Sequence, residues 1–312
     1  QIGIPHYVLD YESLFRNAVI DDFADSYLRG ETPIPCVRCN QTVKFQDLLK
    51  TAKDLGADAL CTGHYVKRVI GNQGTELHCG EDPLKDQSYF LFATTREQLD
   101  YLRFPLGHLS KDQTRAHAAR FKLNVAEKPD SQDICFVPDG RYSDVVKRLR
   151  PGAIDPGKII HIDGSILGEH QGIINFTIGQ RKGLGIGGRV AAEAIGESPP
   201  LYVVELDPTQ KTVIVGPKSA LARDTVIVNQ INWIGPDIPW TESIDVLVKL
   251  RSTQEPVHGT LCRGDNDEGR IVLQQKQFGI SSGQAAVFYS AEDKSRVLGG
   301  GWIVGTELTH KM

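Results

Sequence analysis

Residues 40–64, NQTVKFQDLLKTAKDLGADALCTGH, carry the clearest signature of the fold. Asn40 is a good helix N-cap, and apolar residues follow it at helical spacing. Gly56 suits the position just past a helix C-terminus, and residues 57–61 predict a short buried strand that ends near Gly63. A helix that leads into a buried strand is typical of a parallel sheet flanked by helices, so we predict an α/β fold here.

The neighbouring stretches favour the same fold. Residues 6–9 predict a short strand, residues 13–28 predict a helix that Gly30 ends, and residues 111–121 predict a further helix. The proline-rich segment 32–35 cannot lie inside a helix, so it predicts a loop. These are few strands for a free-standing sheet, so we expect the α/β domain to be incomplete at its N-terminus.

After residue 150 the pattern changes to short strands and turns. Two Pro-Gly pairs within residues 151–157 indicate a linker, and residues 173–178 are among the short strands predicted next. From about residue 222 onward, short strands at regular spacing predict a small β-barrel. The predicted domains are an α/β domain over residues 1–150, a small mixed central domain over residues 151–221 and a C-terminal β-barrel domain over residues 222–312.

Length and composition exclude several classes of protein. The chain has 312 residues, of which 40% are hydrophobic and 24% charged, with a net charge of −4. No apolar run approaches the roughly 20 residues that span a bilayer, and the charge excludes a wholly basic nucleic-acid binder but not a local basic face. The chain begins with Gln1 and its only methionine is Met312, so we expect a piece of a longer protein.

The six cysteines are too sparse for a disulfide scaffold and favour a reducing cytosol. Cys36 and Cys39 form a Cys-x-x-Cys pair, whose spacing also fits metal ligands. Cys39 directly precedes the predicted N-cap and follows Arg38, which would lower its thiol pKa and favour the thiolate. Two ordinary loop cysteines are the alternative.

Four other short motifs leave two interpretations each. Cys135 lies between apolar neighbours, so it predicts a buried structural thiol unless it faces Cys39. Gly63 follows a predicted strand and would let a nucleotide approach the backbone, whereas a lone His64 beside it is more often structural. Residues 85–89 have the composition of an interaction loop or of a solvated helix start. The glycine-rich segment 179–188 matches G-x-G-x-x-G but lacks the strand and helix of a dinucleotide site, so it predicts phosphate contacts or plain turns.

In this order the motifs resemble the tRNA-specific 2-thiouridylases of bacteria and organelles. The resemblance spans nearly the whole chain, and its joint order is specific although each motif alone is modest. It rests on the following segments: Pro35-Cys36-Val37-Arg38-Cys39-Asn40 with Lys44-Phe45, Thr62-Gly63-His64-Tyr65, Lys85-Asp86-Gln87-Ser88-Tyr89-Phe90, Ser131 to Cys135-Phe136, Gly168-Glu169-His170-Gln171-Gly172, Thr177 to Gly188, and Gly283-Gln284 with Ala286-Val287-Phe288-Tyr289.

The resemblance implies a fold and a reaction. The N-terminal domain would be a parallel-sheet ATP-pyrophosphatase domain, of the adenine nucleotide hydrolase type. It would use ATP, with Mg²⁺, to adenylate the C2 oxygen of the wobble uridine in tRNA. A cysteine persulfide would then supply sulfur and AMP would leave, forming 2-thiouridine.

The resemblance also implies residue roles. Cys39 matches the nucleophile and Cys135 the persulfide-bearing cysteine, and the two would form a transient disulfide. Gly63 matches a position that contacts ATP. Segment 34–36, which is Ile34, Pro35 and Cys36, falls where the family meets the target base. The implied tRNA contacts are His64, Lys85, Asp86, Gln87, Arg251, Ser252 and Gln284.

Two features depart from the family pattern. Some members carry Asp where this chain has Cys36; with Cys39 and Cys135 it gives three thiols, enough for an iron–sulfur cluster with one open iron. The family's phosphate-binding loop, Ser-Gly-Gly-x-Asp-Ser, does not occur in the sequence. We therefore expect this chain alone not to turn over ATP. The alternatives are a non-catalytic tRNA-binding or other RNA-binding protein on the same scaffold and a thiol redox protein that uses Cys36 and Cys39.

The implied partners follow from the reaction. They are tRNA with a wobble uridine and a sulfur-relay or cysteine desulfurase protein, with no membrane. The expected location is the bacterial cytoplasm, with an organelle matrix as the alternative.

Overall fold

The described structure has three parts: an N-terminal part rich in helices, a central sheet and a C-terminal β-barrel. The computed structural model describes residues 3–127, 134–137, 141–152, 154–186, 199–237, 243–264 and 268–309. Ser131 and Gly188, which the sequence motifs include, lie outside these residues.

The first two helices lie on either side of the proline-rich segment. Helix α1, residues 12–28, comprises an α-helical turn, a π-helical stretch and an α-helical stretch, and Gly30 follows it with a φ of +74°. Helix α2, residues 35–54, is built in the same way, and Gly56 follows it with a φ of +73°. The predicted ends at Gly30 and Gly56 are confirmed, because glycine adopts a positive φ at little cost.

Helix α2 begins earlier than the sequence predicts. The prediction of Asn40 as N-cap is wrong: the helix starts at Pro35, and Ile34 is its N-cap. Proline suits the first helical position because the N–H that it lacks has no partner within the helix there. Asn40 is instead buried inside the helix.

Three shorter helices lie farther along the chain. Helix α3 spans Arg96–Tyr101, α4 spans Lys111–Arg120 and α5 spans Tyr142–Leu149. Ser110 and Gln113 form a reciprocal capping box at the start of α4, which confirms the predicted helix there.

The parallel pairing of the α/β domain is short. Strand β1, Leu60–Cys61, pairs in parallel with β4, Leu102–Arg103. The prediction of a buried strand over residues 57–61 is therefore only partly right, because Cys61 is exposed and two residues form the ladder. The predicted strand at residues 6–9 is wrong: this segment is exposed and pairs with no described strand.

The C-terminal strands close into a six-stranded barrel, which confirms the predicted β-barrel. The strands are β9 (Ala222–Trp233), β10 (Ile244–Lys249), β11 (Val257–Arg263), β12 (Gly269–Phe278), β13 (Ala285–Ser290) and β14 (Arg296–Glu307). The ladder order is β13-β10-β11-β12-β9-β14, and β13 pairs with β14 to close it. Alternate apolar residues fill the interior, among them Val226, Val248, Leu261 and Phe288.

A hairpin from the N-terminal part extends this barrel sheet. Strands β2, Val66–Gly71, and β3, Gly74–Cys79, form the hairpin, and β3 pairs with β14 through Leu77 and Val297. One hydrophobic core joins α2, the hairpin and the barrel, and it contains Phe45 as well as Leu77 and Val297. The barrel and helix α2, which carries Cys36 and Cys39, are thus packed as one body.

The central part is a four-stranded sheet. Its strands are β5 (Gly157–His161), β6 (Ile166–His170), β7 (Tyr202–Asp207) and β8 (Thr212–Gly216), in the order β6-β5-β8-β7. The predicted strand at residues 173–178 is wrong, because a 3₁₀ turn, Ile173–Asn175, follows Gly172. That turn buries Ile173 and Ile174 against different cores.

Among the described residues, no helix combines the length and the apolar character that crossing a bilayer requires.

Candidate functional site

A cavity of about 550 Å³ lies between helices α1 and α2, the segment around Cys135 and the barrel. This volume is within the ordinary range of small-ligand sites. Nine of the residues to which the resemblance gives a role line it: Ile34, Pro35, Cys36, Cys39, His64, Gln87, Cys135, Ser252 and Gln284. Four others, Gly63, Lys85, Asp86 and Arg251, are not among its lining residues.

The cavity brings Cys39 and Cys135 together from distant parts of the chain. Cys39 is half-buried on α2, whereas Cys135 is exposed. The next residue, Phe136, packs edge-on against Phe23 and Phe15 of α1, with ring centroids 5.2 and 6.0 Å apart. These contacts fix the segment that carries Cys135 at the cavity wall. The alternative of a buried structural thiol at Cys135 is wrong.

The thiol of Cys39 differs from the sequence prediction. We predicted a lowered pKa, but burial raises the pKa of Cys39, Lys44 opposes this increase and Cys135 adds to it. The reason is the early start of α2, which places Cys39 inside the helix and half out of water. Loss of hydration disfavours the thiolate.

Asn40 and Lys44 are cavity residues whose importance the sequence analysis missed. The amide of Asn40 donates to the Phe90 carbonyl at 3.1 Å and accepts from Lys44 Nζ at 3.0 Å. The two residues are four apart, the spacing that puts side chains on one helix face, and this spacing was visible in the sequence. The wrong N-cap assignment hid it.

His64 is held neutral beside the cavity. Burial, with a smaller effect of Lys44, lowers the pKa of His64 to about 4. Its Nδ1 shares a 2.9 Å hydrogen bond with the Thr62 hydroxyl, and its ring contacts Phe45 edge-on. At neutral pH the imidazole is therefore uncharged, with one ring nitrogen that donates a hydrogen bond and one that accepts.

The neutral state of His64 predicts acid sensitivity. Between its ordinary pKa of 6.5 and its folded pKa of about 4, the unfolded chain binds a proton that the folded chain does not. The free energy of unfolding should therefore fall as the pH drops through this window. Urea unfolding at several pH values should show a shallower pH dependence for His64→Gln than for the unsubstituted protein; equal slopes would contradict the assignment.

The loop before Ser88 is organised by its own side chains. Asp86 accepts hydrogen bonds from the backbone N–H of Gly80 and from the Ser88 hydroxyl, the latter at 2.6 Å. Gln87 Oε1 accepts from the N–H of Tyr65 at 2.9 Å, which ties this loop to the one that carries His64. Lys85 lies in the same turn, where its N–H donates to the Asp82 carbonyl.

Gly63 lies at the carboxyl end of β1, where ligands bind in parallel sheets. A Cβ at this position would meet only Leu106, at an ordinary 3.6 Å, so the surrounding space is open. Gly63 itself is exposed.

The barrel holds the segment that leads to the cysteines. Gln284 lines the cavity, and its Nε2 donates to the Thr32 carbonyl at 2.8 Å. The N–H of Thr32 donates to the Ser282 carbonyl at 2.8 Å, and the Thr32 hydroxyl bonds with that of Ser281. Arg251, in contrast, donates to the carbonyls of Phe278 and Gly279 and so braces the barrel wall.

Metal binding has no support in the described part of the chain. No group of three or more His, Cys, Asp or Glu side chains lies there in an arrangement that could hold a metal ion. Cys36, Cys39 and Cys135 share the cavity without forming such a group, so an iron–sulfur cluster does not fit the described side chains as placed.

Comparison with known proteins assigns the chain to a family. Three family models match it: "tRNA methyl transferase HUP domain" over residues 1–139, "tRNA methyl transferase PRC-barrel domain" over residues 143–217 and "Aminomethyltransferase beta-barrel domain" over residues 223–303. These confirm the predicted order of an α/β nucleotide-binding type of domain, a small central domain and a β-barrel.

Curated relatives match along nearly the whole chain. The tRNA-specific 2-thiouridylase MnmA of Rhodospirillum centenum is 60% identical, over 98% of this chain and 77% of its own length. The proteins of the same name from Maricaulis maris and Rickettsia felis are 58% and 56% identical, over 97% of this chain and 72% and 80% of their own lengths. With this identity over this coverage, the chain belongs to the tRNA-specific 2-thiouridylase family.

Proposed function

We propose that this protein transfers sulfur from a persulfide on Cys135 to C2 of the wobble uridine of tRNA, forming 2-thiouridine. The observation that carries the proposal is the shared cavity of Cys39, Cys135 and segment 34–36. The names of the relatives support the same reaction. Mass spectrometry of nucleosides tests it, because exchange of oxygen for sulfur and the methylation named in the family models give different mass changes.

The proposed chemistry starts with activation of the base. The C2 oxygen of uridine is a poor leaving group, and adenylation by ATP, with release of pyrophosphate, makes the leaving group AMP. The terminal sulfur of the Cys135 persulfide then attacks C2, the C2–O bond breaks and AMP departs. The base must leave its stack to enter the cavity, as bases do in other enzymes that modify them.

Cys39 completes the proposed cycle. Its thiolate attacks Cys135 Sγ, a disulfide forms between the two cysteines, and the S–S bond to the base breaks to release 2-thiouridine. Thiol–disulfide exchange proceeds by this kind of attack. A dithiol reductant then supplies two electrons to restore both thiols, and a sulfur-relay or desulfurase protein reloads Cys135.

We assign Gly63 to ATP, supported by its open position at the carboxyl end of β1. Mg²⁺ would be bound largely by the phosphates of ATP, and no step here depends on a protein group that holds it. The Ser-Gly-Gly-x-Asp-Ser loop does not occur in the sequence, and we propose that these 312 residues alone do not turn over ATP. Assays should therefore use the product of the whole gene, with any codons upstream of Gln1.

We assign the remaining predicted site residues to tRNA. Segment 34–36 would meet the target base, with His64, Gln87, Ser252 and Gln284 around it, and Lys85, Asp86 and Arg251 would act outside the cavity. Phosphate contacts should supply much of the affinity despite the net charge of −4, so binding should weaken with salt. The proposed location is the cytoplasm.

Replacing Gln284 by Ala should weaken tRNA binding without changing adenylation. The variant loses a cavity hydrogen-bonding group and the bond to the Thr32 carbonyl. Loss of one neutral hydrogen bond costs about 1 kcal/mol, or roughly fivefold in affinity. Filter binding across a salt series and pyrophosphate release measure the two effects. Unchanged affinity at every salt concentration would remove Gln284 from the tRNA site.

Two alternatives have specific tests. A non-catalytic tRNA-binding role would be favoured if the whole gene lacked the phosphate loop, and it predicts tRNA binding without any 2-thiouridine. A redox role for Cys36 and Cys39 predicts a disulfide between these two cysteines, whereas the proposed cycle predicts one between Cys39 and Cys135; peptide mass spectrometry of the oxidised protein distinguishes them.

An iron–sulfur cluster is a separate hypothesis, and the placed side chains do not support it. Protein purified without oxygen would be brown if Cys36, Cys39 and Cys135 held such a cluster, and colourless and iron-free if they did not.

A further inference from the structure

The cavity carries an unusual balance of charge. Among the described residues that line it, Lys44 is the one positively charged side chain at neutral pH, and none is a carboxylate. His64 is neutral because burial lowers its pKa to about 4. An anion that forms in this cavity therefore meets a single cation and no opposing acid from the described lining.

Asn40 fixes where that cation sits. Asn40 is 4% exposed, and its Nδ2 donates to the Phe90 carbonyl at 3.1 Å. This bond directs Oδ1 toward Lys44 Nζ, at 3.0 Å. Because the amide oxygen is a neutral acceptor, it orients the ammonium group without cancelling its charge.

We infer that Lys44 is a positioning residue that holds a positive charge beside Cys39 and stabilises its thiolate. This inference rests on the proposed function of Cys39 as the thiol that resolves the intermediate on Cys135. No role was assigned to Lys44 by the sequence analysis, in which it appeared only within a motif.

Among the described groups that influence the Cys39 pKa, Lys44 is the one that lowers it. Burial raises the pKa of Cys39, Lys44 opposes that increase, and Cys135 adds to it. Cys36, one helical turn before Cys39, supplies no positive charge. Tyr89, also in the cavity wall, donates its hydroxyl proton to the Ala285 carbonyl, and burial raises its pKa, so it stays neutral.

The test measures the thiolate of Cys39 directly, in the free protein. Alkylation by iodoacetamide is followed against pH, and peptide mass spectrometry reports each cysteine; cleavage after Arg38 separates Cys36 from Cys39. In Lys44→Met the midpoint for Cys39 should rise by about 1 pH unit, the lower range for an opposite charge at close range, which slows alkylation at neutral pH about tenfold. Lys44→Arg should restore the original midpoint.

Lys50→Met is the matched control, because Lys50 lies on the same helix but is exposed. The Cys39 midpoint should not move in this variant. Circular dichroism confirms that each variant is folded, and Lys44→Gln replaces Lys44→Met if the latter unfolds. An unchanged Cys39 midpoint in a folded variant without the charge would overturn the inference.

The two proposals fail separately. If Cys39→Ser still forms 2-thiouridine, the proposed function of Cys39 is wrong, whatever Lys44 does to the midpoint. If Cys39→Ser is inactive but loss of Lys44 leaves the midpoint unchanged, only the inference about Lys44 is wrong.

Discussion

Replacing Cys135 by Ser should abolish 2-thiouridine formation while tRNA binding stays intact. Serine cannot carry a persulfide, so no sulfur reaches the activated base. Loss of a nucleophile that a reaction passes through lowers turnover on the order of a thousandfold or more. The measurement is the 2-thiouridine content of tRNA by mass spectrometry, with tRNA affinity measured in parallel by filter binding.

Cys61→Ser is the matched control for this experiment. Cys61 is also an exposed cysteine of the α/β part, but it is not among the residues that line the cavity. It should keep full activity, and because both sites are exposed, neither variant should change stability by more than about 0.5 kcal/mol. Normal 2-thiouridine from Cys135→Ser would remove Cys135 from the reaction.

Replacing Gly283 by Ala should lower both stability and thiolation. Gly283 has a φ of +83°, and a Cβ there would lie 3.0–3.1 Å from Glu31 and from the backbone of Thr32. The left-handed conformation costs an alanine about 1–2 kcal/mol, and the close contacts add about 1–3 kcal/mol. Displacement of the loop around residue 283 would also disturb the hydrogen bond from Gln284 to Thr32, and with it the position of segment 34–36 at the cavity.

Gly56→Ala separates the two effects. Gly56 has a φ of +73°, but no heavy atom lies within 4 Å of the Cβ that alanine would add. It should lose about 1–2 kcal/mol from strain alone and keep its thiolation. Urea unfolding and the 2-thiouridine assay measure both variants. If Gly283→Ala matched Gly56→Ala in both measurements, contact between the barrel loop and Thr32 would not matter for the site.

The barrel was predictable from sequence because its signal is local. Short strand-forming segments recur at regular spacing between turn residues, and each is recognisable without reference to a distant partner. The hairpin of β2 and β3 gave no comparable clue to its partner. Its pairing with β14 joins Leu77 to Val297, 220 positions away in the chain, and only tertiary packing determines such a contact.

The start of α2 shows how a good local rule can fail. Asn40 has the side chain of an N-cap, but Pro35 already fixes a helical φ, and the Asn40 amide donates to the Phe90 carbonyl instead. This difference reversed the expected shift of the Cys39 pKa and concealed Lys44. Sequence reasoning named residues that meet in the cavity, but their burial, and hence their chemistry, depended on the fold.

The most direct test of the account loads Cys135 with a persulfide that carries a heavy isotope of sulfur. The loaded product of the whole gene is mixed with ATP and substrate tRNA for a single turnover, and the nucleosides are analysed by mass spectrometry. If the Cys135 persulfide is the sulfur donor, the heavy sulfur appears in 2-thiouridine and a disulfide between Cys39 and Cys135 forms at the same time. Heavy sulfur that stays on the protein while unlabelled 2-thiouridine forms would contradict this role of Cys135.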